Sequence, residues 1–371
     1  MIDPPLYVEV TPLLSKRLTG LGRFTARLVE ALAQRRPLRL LTMIDAAGLR
    51  RMNLHTVLHC GDEIAVDAPL PAADGDVDGW TRELLRRPRR RHDAVSAQPF
   101  AGIYSMFRPT VKRFAREISI LYDFTPLLLP WSHEEGTRRQ FGAFFSTALP
   151  LSDKAIAISR ATKHDAGWLT GLAPDDVVTA YPGPSLCSRA HACRTGPPRS
   201  PHLILVVSTR EPRKNANFVL DWFVNSQRVH PESELWWVGP EGWLWDETLE
   251  RSADPGRRRS RFRFLGAVSD ARLCELYRSA SLTIYPSLYE GFGFPVLDSL
   301  CHGTPVLTSF NSALKEFAGP GVFYFDPCEQ RSLDDAYDAW RGAPPFTIDD
   351  DGLRATYSWD HLARTLDALL A

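Results

Sequence analysis

Two carboxylates and two glycines form the densest group of chemically useful residues in this sequence. Glu290 and Asp298 lie eight positions apart, and Gly291 and Gly293 follow the first of them. Glycine tolerates positive φ and lets backbone approach a ligand closely. A helix predicted to begin near Phe294 would direct its N–H groups and positive dipole end at that ligand. The segment therefore predicts an anion site, and Asp298 could also accept hydrogen bonds from two neighbouring hydroxyls, as a ribose offers. The plain alternative is a loop glycine pair with an acidic cap.

A second group of charged residues follows the apolar run Leu203–Val207, which is predicted to be a strand. Arg210, Arg213 and Lys214 come directly after it. Cations at the end of a strand can reach the oxygens of a phosphate group. They could equally form ordinary salt bridges at the surface.

The elements that must position these residues alternate between short β-rich runs and segments of helical period, which favours parallel sheets with crossover helices. Gly196–Pro201 and the preceding prolines predict a linker. We therefore expect an α/β protein of two doubly wound Rossmann-like domains joined near residue 190 and facing across a cleft. The predicted strands are Leu6–Val10, Leu38–Thr42, Ile118–Tyr122, Ala155–Ser159, Val177–Tyr181, Leu203–Val207, Leu235–Val238, Phe262–Phe264, Leu282–Ile284 and Pro305–Thr308. A loop over Thr19–Gly22 is predicted to lead into the first helix, and the other predicted helices are Glu134–Ala148, Ala161–Leu169, Asn217–Arg228, Asp270–Ser279, Phe294–Cys301, Ser332–Trp340 and Trp359–Leu370.

Composition narrows the function further. The chain has 371 residues, enough for two domains, and its 44 basic residues balance its 44 acidic ones, so nothing recruits nucleic acid. No apolar stretch is long enough for a spanning helix, and the N-terminus does not resemble a signal peptide. Six scattered cysteines form no zinc pattern. We expect a cytoplasmic protein with reduced thiols.

Several segments together resemble one enzyme family. The run from Glu290 to Val306 resembles the E-x7-E segment of retaining glycosyltransferases of family 4, which have the GT-B fold. Glu211–Asn215 is similar to that family's "EPRKN" segment. Its "TGIGRY", "LGYVSD" and "FSW" segments resemble Thr19–Thr25, Phe264–Asp270 and Tyr357–Trp359. The similarity covers most of the chain and is strongest from about 200 to 371.

The resemblance implies that the two domains bind different substrates. Residues 1–190 would bind the acceptor, residues 191–356 would bind a nucleotide-sugar donor, and the helix over 357–371 would pack back on the first domain. A hexose, with mannose or rhamnose favoured, would pass to a glycan or lipid-linked saccharide. The favoured donor is GDP-mannose, with dTDP- or UDP-sugars as alternatives, and no other cofactor and no metal is expected. Peripheral association with the inner face of a membrane is compatible with this reaction.

The same resemblance assigns residues to the donor phosphates. Lys214 matches the family's phosphate-binding lysine. Many members pair it with a Gly-Arg arginine, but this chain has Ser208-Thr209 at that place, so Arg210 or Arg213 must substitute. The remaining donor contacts implied are Gly20 and Gly22 over the phosphates, and Gly291, Phe292 and Gly293 beside the sugar and diphosphate.

Further roles concern the sugar, the nucleoside and the acceptor. Glu290 would contact hydroxyls of the transferred sugar, and Asp298 the ribose, although the family usually has glutamate at the latter place. Val268 would flank the nucleobase. Many members have a histidine after a strand of the first domain where this chain has Asp123. Asp123 could orient an acceptor hydroxyl or cap the following turn. Retention needs no protein nucleophile if the leaving phosphate itself deprotonates the acceptor.

Other charged and aromatic segments are expected to be structural. The basic runs Arg86–Arg91 and Arg257–Arg259 predict solvated loops, with an anionic acceptor or membrane surface as the alternative. The D-x-D spacing in Asp74–Asp78 lacks a preceding strand and predicts a loop rather than a metal site. His133 and Asp349–Asp351 predict surface positions. Trp236, Trp237, Trp243 and Trp245 predict core or rim packing.

Two other functions fit the same residues. Sugar-nucleotide 2-epimerases share this architecture and would convert the donor without an acceptor. A non-catalytic partner subunit that binds a nucleotide or glycan would explain Asp298 and the missing Gly-Arg pair.

Overall fold

A computed structural model of the chain describes residues 5–15, 17–42, 62–73, 76–91, 98–106, 108–186, 199–242 and 261–370. It divides into two compact units. The first comprises residues 1–124, 139–188 and 357–371, and the second comprises residues 125–138 and 189–356.

The described part of the first unit is built on an eight-stranded sheet with the order β4-β3-β2-β1-β5-β6-β7-β8. Strands β2, β3 and β4 pair antiparallel, and the other neighbours pair parallel. The strands are β1 Leu6–Glu9, β2 Leu38–Leu41, β3 Asp62–Val66, β4 Arg89–Arg91, β5 Gln98–Tyr104, β6 Phe114–Leu121, β7 Lys154–Ala157 and β8 Val177–Thr179.

Helices flank this sheet, and the predicted glycine loop belongs to the first of them. Helix α1 starts at Gly20, and the Thr19 hydroxyl accepts a hydrogen bond from the Gly22 N–H at 3.4 Å. The loop predicted over Thr19–Gly22 is therefore wrong, because an N-cap threonine lets the glycines form the first helical turn. The helices up to residue 169 are α1 Gly20–Ala33, α2 Val77–Leu85, α3 Thr125–Leu128, α4 Glu135–Ala143, which continues as a π-helix over Phe144–Ala148, and α5 Arg160–Leu169.

The C-terminal helix α11, Trp359–Leu370, packs on α1 of the first unit. The Trp359 ring lies 5.1 Å from that of Phe24, and its Nε1 donates to the Pro184 carbonyl at 2.9 Å. A side chain at Gly183 would meet the Trp359 ring at 2.5 Å, so this glycine permits the contact. Arg35, just after the end of α1, pairs with Asp367 on α11 at 2.6 Å.

The second unit carries a six-stranded parallel sheet with the order β11-β10-β9-β12-β13-β14. Its central strands are apolar because helices cover both faces of a parallel sheet. Its elements are β9 Leu203–Val207, α6 Ala216–Asn225, β10 Glu234–Val238, β11 Phe262–Gly266, α7 Asp270–Ser279, β12 Leu282–Tyr285, α8 Phe294–Cys301, β13 Val306–Ser309, β14 Val322–Phe325, α9 Gln330–Gly342 and α10 Asp350–Thr356. Trp222, Phe223 and Trp237 lie in its core.

Three segments differ from the sequence expectations. Arg89–Arg91 forms edge strand β4 rather than a loop, since charged side chains are tolerated and even protective at a sheet edge. Asp78 lies in the first turn of α2 rather than in a loop, and Asp76 is the non-helical N-cap directly before that helix. Trp237 is buried and Trp236 half-buried, which confirms packing. Asp74, Trp243, Trp245 and Arg257–Arg259 lie outside the described residues.

Among the described helices, none combines the length and apolarity needed to cross a bilayer.

The two glycines in the first turn of α1 differ in the space around them, and this difference offers a test of how the helix packs. A methyl group at Gly20 would meet nothing within 4 Å, whereas one at Gly22 would lie 2.8 Å from Leu18 Cδ2. Gly20→Ala should leave the free energy of unfolding unchanged or raise it by about 0.5 kcal/mol, because alanine restricts the unfolded chain. Gly22→Ala should lower it by about 1–3 kcal/mol through overpacking. Urea denaturation checks both values, and a clear destabilisation by Gly20→Ala would contradict this account of α1.

Candidate active site

The loop after β9 directs Arg213 and Lys214 toward the segment that follows β12. Pro212–Lys214 forms a 3₁₀ turn, and Asn215 ends it in the left-handed conformation with φ 54°. The Asn215 side chain donates to the Pro327 carbonyl at 2.7 Å, which holds this unusual conformation. The Arg213 carbonyl accepts from the Leu288 N–H at 2.9 Å. The turn and the loop after β12 are therefore tied together through backbone.

Glu290 lies between two of the predicted cations. Its Oε1 is 2.5 Å from Lys214 Nζ, and its Oε2 is 2.7 Å from Arg213 NH1. Glu290 is 8% exposed, so both ion pairs are largely shielded from solvent. The predicted proximity of the two segments is confirmed for Arg213, Lys214 and Glu290.

Hydroxyl groups complete the shell around this carboxylate. Two hydroxyls donate to Glu290 Oε1, that of Tyr285 at 2.8 Å and that of Ser287 at 2.5 Å. The Ser312 hydroxyl accepts from the Glu290 backbone N–H at 2.9 Å. Sequence reasoning missed all three hydroxyls. Tyr285 and Ser287 flank Pro286 directly before the motif, but a tyrosine closing an apolar strand predicts core packing.

Glu290 is a strong acid in this setting. Burial alone would raise its pKa, but the charges of Arg213 and Lys214 and the hydrogen bonds from Lys214 and Ser287 outweigh burial and lower the pKa to about 2. Burial raises the pKa of Tyr285 well above its ordinary value, so this phenol keeps its proton. The site at neutral pH thus contains an ionised carboxylate that accepts from a neutral phenol.

A second buried carboxylate shares Arg213. Glu211 Oε1 lies 2.7 Å from Arg213 NH2, and Glu211 is 3% exposed. Burial raises its pKa despite the nearby cations. Both terminal nitrogens of Arg213 are therefore paired with carboxylates, whereas the Lys214 ammonium group contacts one carboxylate and one phenol.

The Arg210 side chain does not face Glu290. Its guanidinium lies 4.2 Å above the Phe264 ring on β11 and pairs with Glu241 at 2.5 Å. Arg213 and Lys214 instead face Glu290, which follows β12 on the opposite side of β9. Of the two arginines left open by the sequence, the structure brings Arg213 to the carboxylate.

The glycine loop leads directly into α8. Gly293 is the N-cap residue with φ 135°, and a side chain there would approach Leu314 Cδ2 at 2.8 Å and the Phe317 ring at 3.0 Å. Both the dihedral angle and the space require glycine. Phe292 is buried against the Phe317 ring at 5.3 Å. Gly291 lies between Glu290 and Phe292. Helix α8 begins at Phe294, so its positive end comes four residues after Glu290.

Asp298 and Val268 lie on separate elements of the same unit. Asp298 is inside α8 and 3% exposed, and its carbonyl accepts from His302 Nδ1 at 2.6 Å. Burial lowers the pKa of His302 to about 4, so this ring is neutral at pH 7. Val268 is half-buried and follows Gly266, which ends β11 with φ 64°.

Three predicted site residues belong to the first unit. Gly20 and Gly22 lie in the first turn of α1, and Asp123 is half-buried just after β6. His133, by contrast, groups with the second unit and is half-buried rather than a surface residue. Its Nε2 lies 3.1 Å from the Thr125 hydroxyl.

Within the described ranges, one group of side chains has metal-ligand chemistry, namely His202, His230 and Glu232. His202 precedes β9, so this group lies at the opposite end of that strand from Lys214. The two imidazole rings stack at 4.3 Å, and His230 Nδ1 accepts from the Glu232 N–H at 3.2 Å. Parallel rings do not direct their lone pairs at one point, so this arrangement does not fit a metal ion without rotation of a ring.

Comparisons with known proteins find similar sequences and similar folds. The sequence model of the family described as glycosyl transferases group 1 matches residues 191–341. O-antigen chain mannosyltransferase B of Escherichia coli is 26% identical over 347 residues, covering 87% of this chain and 89% of the relative. Serotype-specific mannosyltransferase WbdA of Escherichia coli is 25% identical over 78% of this chain, which spans about a third (36%) of that longer protein.

Solved structures confirm the predicted GT-B fold. Anabaena Alr3699/HepE in complex with UDP aligns with a TM-score of 0.64 and 14% identity over 98% of both chains. WaaG, a glycosyltransferase involved in lipopolysaccharide biosynthesis, aligns with a TM-score of 0.59 and 15% identity over 99% of both chains.

Proposed function

We propose that this chain, whose residues 191–341 match the family model of glycosyl transferases group 1, moves a mannosyl residue from a nucleotide sugar to a saccharide acceptor. The choice of mannose is supported by the names of its relatives, O-antigen chain mannosyltransferase B and WbdA. The proposed donor is GDP-mannose, with UDP- and dTDP-sugars as alternatives. The proposed acceptor is a glycan or a lipid-linked saccharide.

The observation that carries this proposal is the cluster of Arg213, Lys214 and Glu290 beside the positive end of α8. Lys214 and Arg213 would bind the diphosphate, whose charge increases as the glycosidic bond breaks. Glu290, held ionised, would accept hydrogen bonds from hydroxyls of the transferred sugar. Asp298 would contact the ribose and Val268 the base.

The proposed reaction retains the anomeric configuration without a protein nucleophile. The bond from the sugar C1 to the diphosphate oxygen breaks, and a bond from C1 to the acceptor oxygen forms on the same face. The acceptor proton passes to the departing diphosphate. Lys214 and Arg213 supply the positive charge that a metal ion supplies in other transferases, so the reaction is proposed to be metal-independent.

A panel of donors tests this function. The full chain is incubated with GDP-mannose, UDP-glucose or dTDP-rhamnose, with and without lipid-linked saccharide acceptors. We expect nucleoside diphosphate release and a mannosylated product only from GDP-mannose with an acceptor present. Conversion of the donor without an acceptor would indicate an epimerase. Nucleotide binding with no transfer to any acceptor would indicate a non-catalytic binding subunit.

The two arginines give a matched pair of variants. Arg213→Gln should lower kcat about 10²-fold, because it removes a charged donor that faces Glu290. Arg210→Gln should lower kcat less than about 3-fold, since a partly exposed ion pair contributes little. Steady-state kinetics with GDP-mannose measures both. The reverse order would reassign the diphosphate contact to Arg210.

A further inference from the structure

Three polar atoms at the centre of the site form a closed triangle. Lys214 Nζ lies 2.5 Å from Glu290 Oε1 and 3.0 Å from Tyr285 OH, and Tyr285 OH lies 2.8 Å from Glu290 Oε1. A phenol has one proton to donate and lone pairs to accept. Its proton therefore goes to the carboxylate, while its oxygen accepts from the ammonium group.

Tyr285 is the rigid member of this triangle. It ends β12, pairs in register with Thr308 on β13, and accepts from the Thr308 hydroxyl through its carbonyl at 3.3 Å. Its side chain is 2% exposed. Lysine and glutamate side chains lose much more rotamer entropy when they are fixed, so they depend on such a partner.

We propose that Tyr285 is a positioning residue that keeps Glu290 aligned on the transferred sugar when Lys214 turns to the donor diphosphate. This inference rests on the proposed function. In the structure Lys214 is paired with Glu290, so an arriving diphosphate competes for the same ammonium group. Glu290 then retains Tyr285, Ser287 and Arg213 as partners, and of the two hydroxyls only that of Tyr285 also contacts Lys214.

Positioning of this kind predicts a specific kinetic effect. Tyr285 touches neither donor nor acceptor in this account, so ground-state binding of the donor should change little. Small misplacement of reacting groups costs far more in the transition state. Tyr285→Phe should therefore lower kcat about 30-fold and change the KM for GDP-mannose less than about 3-fold.

The chain provides a matched control in its first unit. Tyr104 OH donates to Glu117 Oε1 at 2.8 Å, and Glu117 is a buried carboxylate paired with Arg108. Tyr104→Phe removes the same kind of hydrogen bond far from Glu290 in sequence. Both variants should lower the midpoint of urea unfolding to a similar extent, but only Tyr285→Phe should lose kcat. Equal kinetic effects, or a kcat of Tyr285→Phe within 3-fold of wild type, would overturn the proposal.

A second measurement does not depend on transfer. Amine-reactive labelling of Lys214, quantified by mass spectrometry against the exposed Lys315, should be several-fold faster in Tyr285→Phe than in wild type. Unchanged labelling would overturn the positioning role. If wild type transfers no sugar but Lys214 labelling responds as expected, the proposed function fails, while the role of Tyr285 in holding the triangle with Glu290 and Lys214 stands.

Discussion

Lys214→Ala is expected to lower kcat about 10³-fold while the protein remains folded. Lys214 Nζ contacts one carboxylate oxygen and one phenol, and the residue is partly accessible, with 13% of its side chain exposed. It can therefore transfer its hydrogen bonds to a diphosphate as negative charge develops there. Removal of one such donor from a shielded site typically costs 10²- to 10³-fold in rate.

The control for Lys214 is another ion-paired lysine. Lys154 Nζ lies 2.8 Å from Asp176 in the first unit, and Lys154→Ala should leave kcat unchanged. Steady-state kinetics and thermal unfolding of both variants provide the comparison. Turnover by Lys214→Ala within about tenfold of wild type would remove this residue from the catalytic machinery.

Glu290→Gln is expected to have the second largest effect, on both rate and stability. The amide keeps the shape but leaves Arg213 and Lys214 without their shared negative charge, which for a buried pair typically costs about 3–5 kcal/mol. Loss of sugar alignment should lower kcat about 10²-fold. Glu117→Gln breaks a comparable buried pair with Arg108 and should lower stability without the rate effect.

The pH dependence of stability checks the charge state of Glu290. Its folded pKa of about 2 lies below the unfolded value near 4.3, so ionised Glu290 stabilises the fold above that range. This contribution should be lost as the pH falls from about 5 to 2, and the wild type should approach Glu290→Gln. A constant difference in unfolding free energy between the two proteins over that range would contradict the assignment.

Sequence patterns predicted the segments of the candidate site because the chemistry of these segments is local. A basic run after one apolar strand and a Glu-Gly-Phe-Gly run after another both lie at carboxyl ends of parallel strands, where ligands bind. The adjacency of β9 and β12 in the sheet is a property of the tertiary structure. Periodicity could not predict this adjacency.

Two features of the site depended on geometry beyond the sequence. Arg210 and Arg213 are equivalent as residue types, but the 3₁₀ turn over Pro212–Lys214 separates them, so that one faces Phe264 and the other Glu290. Tyr285 ends an apolar strand, and nothing in the sequence shows that its hydroxyl meets a charge.

Strands β3 and β4 were not predicted from the sequence, for a different physical reason. Strands β3 and β4 extend the first sheet antiparallel, and β4 consists of three arginines. Pairing at a sheet edge uses backbone groups and requires no apolar face. Composition therefore predicted a loop where backbone hydrogen bonds build a strand.

The most direct test of the central claim compares nucleotides that differ by one phosphate. Calorimetry should measure GDP and GMP binding to wild type and to Lys214→Ala, with UDP and UMP in parallel. If Lys214 binds the terminal phosphate, wild type should prefer the matching diphosphate by at least about 30-fold, the value of one charge-assisted hydrogen bond, and Lys214→Ala should lose about that much of the preference while Arg213 retains the rest. An unchanged diphosphate preference in Lys214→Ala would contradict the assignment of this cluster as the diphosphate site.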